Sequence, residues 1–339
     1  MAAARPETPR IACLAVSEGG QRLAARIADA LGGTMIPQRT GLGALMPTIW
    51  QEYDGLVCVM AAGIVVRCIA PLVADKECDP AVVVVDEAGR FSVSFLSGHF
   101  GGANDLAQRV AQVTGGQAVI TTASDVLGQT ALDLWAREQH LVAEERQPLT
   151  RASATLVNRG TLRIFSEIPV VSLPPELVAV AAPDEADCIV SHRLESWPDG
   201  ILVLRPRHLV VGIGCNRGTS TKDIGVALDE AFAEHNLSPL AIRNLASIDV
   251  KSDEAGLLAF AEGRGLVIDF YSKDELNRVA GISPSEAVLR ATGAQGVAEP
   301  AALLSSGADN LLVRKMKWKD VTIAIAQAPS TLSAPAPAV

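Results

Sequence analysis

Aromatic residues are scarce in this sequence: seven Phe, four Trp and two Tyr make up 4% of the 339 residues. This scarcity disfavours a Tyr- and Trp-rich β-sandwich, whereas the many Ala, Val, Leu and Ile residues suit helices packed on sheets. Basic residues are outnumbered as well, with 29 Lys and Arg against 38 Asp and Glu and a net charge of −9. Nucleic-acid binders normally carry a basic field. The composition therefore argues against nucleic acid as a partner, although a local basic pocket could still bind an anionic small molecule.

Paired cysteines, long apolar runs and a leader segment are also missing. None of the six cysteines has C-x-x-C spacing, so we expect reduced thiols in a cytoplasmic protein and no zinc site. The longest uncharged apolar run, residues 55–66, falls short of the roughly 20 residues that span a bilayer. The N-terminal sequence MAAARPETPR contains no apolar segment. We therefore expect neither a secretory signal nor a membrane partner.

The order of apolar runs predicts an α/β fold. Strand and helix patterns alternate over residues 11–130, weaken over 131–206 and return over 207–327. This organisation predicts two α/β domains with open, largely parallel sheets, joined by a small middle module or linker. Residues 1–10 and 328–339 have the composition of disordered tails.

The sequence LSGHFGGAND, residues 96–105, leads from an apolar strand through a Gly-rich turn into a helix. Ligands of open α/β sheets bind beyond the carboxyl ends of strands, where glycines allow close approach and helix N–H groups attract anions. His99 is the titratable group there whose pKa suits acid–base work near neutrality. A plain tight turn, with His99 bonded to a carbonyl, is the alternative, because the segment matches neither GxGxxG nor a Walker loop.

The sequence TTASD, residues 121–125, follows the next predicted strand. In a parallel sheet this strand would end close to the Gly-rich turn. Its hydroxyls could then meet a substrate carboxylate, and Asp125 could orient a histidine. A helix-capping cluster is the simpler interpretation, since Thr, Ser and Asp are all good caps.

The sequence GIGCNRGTS, residues 212–220, has the same strand–turn–helix pattern in the C-terminal domain. Arg217 adds a planar guanidinium suited to carboxylates. Cys215 is a weak candidate nucleophile, because no nearby His in the sequence supplies a base, although one could come from elsewhere in the fold. Capping of the following helix by Thr219 or Ser220 is the simpler interpretation, and it is compatible with ligand binding.

Two lysines mark further strand edges. Lys251 lies in the sequence ASIDVKSDE, where it could point at a ligand. Lys315 lies in RKMKWK, a basic stretch on an acidic protein. A solvated edge strand protected by lysines is the alternative for this second stretch.

Taken together, these blocks resemble the cobalt-precorrin-5A hydrolase family, CbiG. The resemblance extends over AAGIVVR, DK and DPAVVVVD, the two N-terminal turns, GIGCNRGTS, IDVKSDEAGLLAF, AEPAALL and VRKMKWKDVTIAIA. It covers nearly all of residues 11–326 and is weakest in the middle module. Asn216 stands where the family usually has a second basic residue, so a carboxylate anchor at that position is in doubt. Ala298 stands where the family often has Cys, which argues against an essential thiol there.

The resemblance implies a cytoplasmic hydrolase of anaerobic cobalamin biosynthesis. Such an enzyme opens the δ-lactone of cobalt-precorrin-5A and releases acetaldehyde to give cobalt-precorrin-5B. The substrate is a cobalt-containing tetrapyrrole, so the cobalt arrives with it, and neither a cofactor nor a protein metal is implied. A homo-oligomer and contact with other cobalamin-pathway enzymes are both left open.

Within this chemistry, three residues are predicted to be catalytic, with His99 as the base and either Asp105 or Asp125 orienting it. Asn104 and the backbone N–H groups near Gly101 are expected to supply donors to the oxyanion. The acetate and propionate arms of the macrocycle need local cations and N–H groups, and we expect these in a cleft between the two domains. The predicted substrate-binding residues are Arg67, Lys76, Ser97, Gly98, Gly101, Gly102, Asn104, Thr121, Thr122, Gly214, Cys215, Arg217, Gly218, Thr219, Ser220, Lys251, Glu254 and Lys315.

Two other functions compete with this one. The C-terminal domain alone resembles CobE, a stand-alone protein of the aerobic route, so a non-catalytic corrinoid-intermediate binder or chaperone is the main alternative. The first domain with its SGHFGGAND turn, which such a protein lacks, favours the hydrolase. An unrelated anion-binding enzyme acting on a phosphorylated metabolite is disfavoured because no Walker or Rossmann fingerprint is present.

Overall fold

The computed structural model describes residues 9–37, 41–75, 78–98, 101–282 and 284–334. Its internal contacts divide the chain into two compact units, Met1–Leu134 and Trp135–Val339. The described part of the first unit contains one sheet, and that of the second unit contains two. Each sheet is built from its own continuous stretch of sequence.

The N-terminal unit alternates strands and helices. Its elements are β1 (Ile11–Ala15), α1 (Glu18–Leu31), β2 (Thr34–Met35), α2 (Leu42–Glu52), β3 (Gly55–Val59), α3 (Ala62–Ile69), β4 (Ala81–Val85), β5 (Phe91–Leu96), α4 (Ala103–Thr114), β6 (Gln117–Val119), α5 (Ala123–Leu127) and α6 (Leu132–Glu138), the last of which extends into the second unit. The strand order is β2-β1-β3-β4-β5-β6. All neighbours are parallel except β4 and β5, which form an antiparallel hairpin. Strands β5 and β6 therefore end at the sheet edge where β1, β3 and β4 begin.

Helices cover both faces of this sheet, and their cover explains the continuous apolar runs. Ile27 of α1 and Leu106 of α4 pack on one face, and Met46 of α2 and Val65 of α3 pack on the other. Strands buried on both faces lose the polar alternation of half-exposed strands. Strand β4, with the sequence AVVVV, is accordingly buried over its whole length. Each such valine contributes about 1.5 kcal/mol or more by leaving water.

The middle of the chain forms a complete sheet rather than an irregular linker. Its elements are β7 (Leu141–Ala143), α7 (Arg146–Arg159), β8 (Leu162–Ser166), β9 (Leu177–Ala179), β10 (Cys188–Val190) and β11 (Leu202–Pro206). The order is β7-β11-β10-β8-β9, and only β7 runs antiparallel to its neighbour among these strands. Three of the strands have only three residues each, so hydrophobic periodicity could not reveal them.

The third sheet again has helices on both faces. Its elements are β12 (Leu209–Cys215), α8 (Thr221–Glu234), β13 (Ile242–Ile248), α9 (Ala255–Arg264), β14 (Ile268–Tyr271), α10 (Lys273–Asn277), α11 (Glu286–Thr292), α12 (Ala298–Ser306), β15 (Leu311–Lys317) and β16 (Val321–Gln327). The order is β14-β13-β12-β16-β15, with β12 to β14 parallel and β15–β16 an antiparallel hairpin. Helices α8 and α9 pack on one face and α12 on the other. The mixed α/β class with mostly parallel sheets agrees with the fold class predicted from the sequence.

The end of the chain departs from the predicted disordered tail, because residues 328–334 pack onto the second unit. Leu332 is fully buried and forms a β-bridge with Val170. The indole N–H of Trp135 donates to the carbonyl of Ser333 at 3.0 Å. An Ala- and Pro-rich composition indicates disorder only where no apolar residue of the segment is buried. Here Leu332 is buried.

None of the helices in the described residues combines the length and the hydropathy of a bilayer span.

Candidate functional site

The turn after β5 begins with a strained serine. Ser97 has a φ of 58°, a left-handed conformation that costs a non-glycine residue about 1–2 kcal/mol. Its hydroxyl is buried and has no hydrogen-bond partner among the described residues. At Gly101 a Cβ atom would lie only 2.5 Å from the Ser97 carbonyl oxygen, so the backbone there has room for glycine alone. His99 lies inside this turn but outside the described residues.

A side-chain network lies directly beneath the turn. Asn104, which is 8% exposed, accepts a hydrogen bond from the Ser94 hydroxyl at 2.6 Å. Its amide donates to the Asp125 carboxylate at 2.9 Å and to the Thr122 hydroxyl at 3.3 Å. The backbone N–H of Asn104 also donates to Gly98 at 3.0 Å. Both amide hydrogens of Asn104 are therefore used within the protein, and they hold Asp125 against the turn.

Parallel pairing of β5 and β6 brings these residues together. The two strands pair in register from Phe91 to Val93, so the segment 121–125 and the turn 97–102 lie at one edge of the sheet. Gly98 and Gly102 belong to this group, and Gly102 has a φ of 81°. Thr121 is exposed beside them.

Asp105, the other predicted orienting carboxylate, lies apart from this network. It occupies the first turn of α4, and its side chain is 73% exposed. Its nearest basic partner is Arg109, one helical turn further on, at 3.9 Å. The structure thus separates the two aspartates that the sequence could not rank.

The loop before β4 lies at the same edge as the Ser97 turn, because β4 and β5 are antiparallel. Asp79 is 3% exposed and accepts the backbone N–H groups of Ala74 and Asp75, which fixes this loop. The predicted Lys76 belongs to the loop but lies outside the described residues. Arg67, in the last turn of α3, donates to the Gly63 carbonyl at 2.9 Å.

The opposite edge of the N-terminal sheet has a different character. Beyond the ends of β1 and β3 lies an apolar pocket of about 570 Å³, lined by residues that include Val59, Met60, Ala61 and Ile64. The first residues of the AAGIVVR block therefore line a pocket remote from the Ser97 turn. The sheet thus presents a polar edge beyond β5 and β6 and an apolar edge beyond β1 and β3.

In the second unit, the turn after β12 is tied to the turn after β13 by buried charges. Lys251 and Glu254 are 7% and 4% exposed and form an ion pair at 3.0 Å. Glu254 also accepts the backbone N–H of Gly218 at 2.8 Å. The guanidinium of Arg217 donates to Asp253 and to the Val250 carbonyl. Strands β12 and β13 are parallel, so their carboxyl ends place both turns at one edge.

These charges shift the ionisation of their neighbours. The Lys251 ammonium, assisted by the N–H of Gly218, holds the pKa of Glu254 below its ordinary value. The Arg217 guanidinium likewise lowers the pKa of Asp253. Burial raises the pKa of the Cys215 thiol, so the thiolate is disfavoured there. A protonated thiol is a poor nucleophile, which weakens the catalytic interpretation of Cys215.

The same turn is joined to the β15–β16 hairpin by hydrogen bonds. Asn216 donates to the Asp320 carboxylate at 2.8 Å, and the Thr219 hydroxyl donates to the Asn216 carbonyl at 2.8 Å. Ser220 caps α8 by accepting the N–H of Asp223 at 3.1 Å. Of the two predicted capping residues, Ser220 is therefore the helix cap, whereas Thr219 bonds within the turn.

Gly214 and Lys315 complete the predicted set in this unit. Gly214 pairs with Thr322 across β12 and β16, and a Cβ atom at Gly214 would lie 2.6 Å from the Thr322 hydroxyl. Lys315 lies on the outer strand β15, close to the end that pairs with this part of β16, and its side chain is exposed. It is therefore in the same sheet as the turn after β12.

Comparison with known proteins now identifies the family. Two protein-family models match the chain. The model described as "Cobalamin synthesis G N-terminal" matches residues 44–125, and the one described as "Cobalamin synthesis G C-terminus" matches residues 209–326. A protein of Priestia megaterium named cobalt-precorrin-5A hydrolase is 39% identical over 84% of this chain and 81% of its own length. A Salmonella typhimurium protein of the same name is 32% identical over 95% of this chain and 98% of its own.

The chain belongs to the cobalt-precorrin-5A hydrolase family. The two matched regions contain both turn sites described above, the Ser97–Asp125 group and the Gly214–Glu254 group. Protein CobE of a Sinorhizobium species is 36% identical, but over only 37% of this chain and 83% of its own length. Similarity to CobE therefore leaves most of this chain unexplained, whereas similarity to the hydrolases covers nearly all of it.

Within this family framework, several site residues had no signal in the sequence. Ser94 bonds Asn104 from inside a strand, where an alternating serine usually marks only a less apolar face. Asp320 and Asp253 bond the turn after β12 from segments distant in sequence. Polar residues before and after strands could have indicated them, because the carboxyl edge of a sheet gathers such loops.

Proposed function

We propose that this chain hydrolyses the δ-lactone of cobalt-precorrin-5A and releases the two-carbon fragment as acetaldehyde, giving cobalt-precorrin-5B. The carrying observation is the Asn104–Asp125 network, which holds a carboxylate beside the strained turn that contains His99. Names of relatives that align with more than four-fifths of this chain support the substrate. Cobalt enters as part of that substrate, and the absence of any cofactor remains a prediction.

The reaction needs one activated water and one electron acceptor. The water attacks the lactone carbonyl as it loses a proton to the base. The C–O bond to the ring oxygen then breaks, which gives a carboxylate and an alkoxide. The alkoxide then forms the C=O bond of acetaldehyde as the adjacent C–C bond breaks. The electron pair of that bond moves into the macrocycle. General base catalysis of the first step contributes about 10²–10⁴-fold.

In this proposal His99 takes the proton of the attacking water and Asp125 orients the imidazole. Asn104 positions Asp125, because its amide donates to that carboxylate and has no further hydrogen for an oxyanion. The solvent-facing carboxylate of Asp105 is the weaker orienting candidate. Backbone N–H groups of the turn are the remaining donors for the oxyanion.

The carboxylate arms of the substrate require cations, and the second unit contains both buried and exposed ones. Lys251 is buried against Glu254, so its charge supports the turn rather than a carboxylate arm. Arg217 is 61% exposed, and Lys315 is exposed on β15, so both can meet carboxylates. We place the macrocycle arms on these exposed cations.

All six cysteines are unpaired. Burial raises the pKa of Cys13 and Cys58 to about 12, so these thiols remain protonated and inert. Free thiols are typical of a reducing compartment. This supports the proposal that the enzyme works in the cytoplasm.

The first prediction compares the two aspartates with each other. We expect Asp125→Asn to lower kcat for acetaldehyde release by about 10²-fold or more, because the histidine loses its orienting carboxylate. The matched control, Asp105→Asn, should stay near the wild-type rate because that carboxylate faces solvent. His99→Ala and His99→Gln should both abolish turnover while substrate binding is retained. The measurement is acetaldehyde release coupled to NADH oxidation by alcohol dehydrogenase, with binding followed by the absorbance of the macrocycle.

Full activity of both His99 variants would remove that residue from the mechanism. Equal losses in the two aspartate variants would show that Asp125 has no special role. Binding of the macrocycle by the wild-type chain without any acetaldehyde would favour the non-catalytic binding protein instead.

A further inference from the structure

A polar cavity lies at one end of the C-terminal sheet, opposite the turn that carries Arg217. It has a volume of about 410 Å³ and belongs to the unit Trp135–Val339. Arg207 and His208 line it just before β12 begins, whereas the turn with Arg217 follows the end of that strand. The cavity is therefore separate from the site proposed above, and nothing in the hydrolase reaction requires it.

Basic and hydroxyl-bearing side chains dominate its lining. Arg207 and Arg243 supply two fixed positive charges, and Ser330 and Thr331 supply hydroxyls. Glu138 is the acidic residue among the described residues that line it. Two guanidinium groups against one carboxylate leave the cavity with a net positive charge.

Arg207 has no charge partner in the described part of the chain. Its Nε atom is buried and makes no hydrogen bond, while its backbone N–H is fixed by the His140 carbonyl at 2.9 Å. A half-buried guanidinium loses hydration that an ion pair would normally replace. The Arg207 guanidinium therefore lacks an internal counter-charge among the described residues.

Arg243, by contrast, is already oriented by the protein. Its Nη2 donates to the Ser305 carbonyl at 2.6 Å and its Nε to the Asn244 side chain at 2.9 Å. These two bonds set the plane of the guanidinium before any ligand arrives. A preorganised guanidinium favours oxygen atoms arranged as in carboxylates and phosphates.

The histidine at the base of the cavity is neutral. Burial, with help from His192 and Arg243, lowers the pKa of His208 to about 3, and its Nε2 lies 3.1 Å from Nδ1 of His192. His208 therefore adds no positive charge to the cavity near neutral pH, whereas Arg207 and Arg243 do.

We propose that this cavity binds a small multivalent oxyanion, a phosphate or a di- or tricarboxylate, between Arg207 and Arg243 and against the hydroxyls of Ser330 and Thr331. Its volume lies within the range typical of small-ligand sites. The bound anion would connect the segment 328–333 to the starts of β12 and β13. It would therefore stabilise the end of the chain as well as neutralise Arg207.

Titration calorimetry on the full chain at low salt tests this, with inorganic phosphate and citrate as separate probes. We expect saturable binding of at least one probe at one site, and the preferred probe distinguishes phosphate from carboxylate chemistry. Arg207→Gln should weaken binding at least tenfold, about 1.4 kcal/mol. The control Arg290→Gln removes an exposed arginine of α11 and should bind like the wild type. Hydrogen exchange of residues 328–334 should slow when the preferred anion is added.

Thr331→Val is the second variant, since it removes one hydroxyl without touching a charge, and it should weaken binding severalfold. Binding of neither probe by the wild type, unchanged affinity in folded Arg207→Gln, or equal loss in Arg290→Gln would overturn the proposal. Hydrolase activity of Arg207→Gln should equal that of the wild type. A failed anion site would therefore leave the proposed reaction untouched.

Discussion

Asn104 has no spare hydrogen on its side-chain amide, because Thr122 and Asp125 accept both. Ser94 occupies the amide oxygen from the strand below. A buried amide with this many partners fixes its neighbours more rigidly than a solvated one would. At the scale of single residues, this amide is what keeps the Asp125 carboxylate next to the turn.

We therefore expect Asn104→Ala to lower kcat by about 10²-fold while KM changes less than about threefold, because a misplaced base impairs the chemical step rather than binding. The measurement is steady-state acetaldehyde release over a range of substrate concentrations. Asn158→Ala, an exposed change on α7, is the control. A variant that loses affinity but keeps kcat would show that Asn104 contacts the substrate instead.

The residues of this site were partly predictable from sequence. Thr122 and Asp125 could be assigned to the Gly-rich turn because parallel strands end at one edge, and the structure places them there. The sequence could not show whether Asp105 or Asp125 orients the histidine, since the answer depends on which face of α4 is exposed to solvent. Ser97 was included for its neighbours, while its strained backbone and buried hydroxyl are visible only in three dimensions.

At the scale of elements, helix α12 approaches strand β12 more closely than any side chain would permit. A Cβ atom at Gly212 would lie 1.9 Å from the Ala298 carbonyl oxygen. The backbone of the helix at Ala298 therefore packs directly against Gly212, and a side chain at Gly212 would separate the two elements. This contact sets the position of the strand that carries the turn with Arg217.

Gly212→Ala should accordingly lower the free energy of unfolding by about 1–3 kcal/mol, since packed backbone has to move apart. Urea unfolding followed by circular dichroism is the measurement. Gly263→Ala is the matched control, because a Cβ there meets no atom within 4 Å and lies in α9, where alanine is favoured by about 0.5–1 kcal/mol. Equal midpoints for the two variants would contradict the packing argument.

The strands differed in how well the sequence predicted them. Strands β1, β3 and β4 have apolar runs of five residues, so the alternation over residues 11–130 was predicted. The middle sheet was missed because β7, β9 and β10 have three residues each. Such short strands form because neighbouring strands pair with them, which is a tertiary cause with no local signature.

For the molecule as a whole, the imidazoles of His192 and His208 tie the second and third sheets together. They are 6% and 2% exposed, and burial lowers their pKa values to about 4 and about 3. The unfolded chain takes up these protons near pH 6.5, whereas the folded chain does not until far lower pH. Stability should therefore be complete above pH 6.5 and fall as the pH decreases toward 4.

Each such proton contributes a slope of about 1.4 kcal/mol per pH unit in this window. We expect His208→Phe to reduce the fall in urea midpoint between pH 6.5 and pH 5, while His235→Gln, a change of an exposed histidine, leaves it unaltered. The lowered pKa of Glu254 acts in the same direction, but only below its ordinary value of 4.5. An unaltered pH dependence in His208→Phe would disprove the assignment to the histidine pair.

The packing of residues 328–334 has a consequence for how the protein is made. Trp135 bonds Ser333 across 198 residues, and Val170 pairs with Leu332. These residues leave the ribosome only after every described strand of the second and third sheets has emerged. The middle sheet therefore lacks these contacts until residue 333 is exposed, whereas the described strands of the first unit have all emerged once residue 119 is exposed.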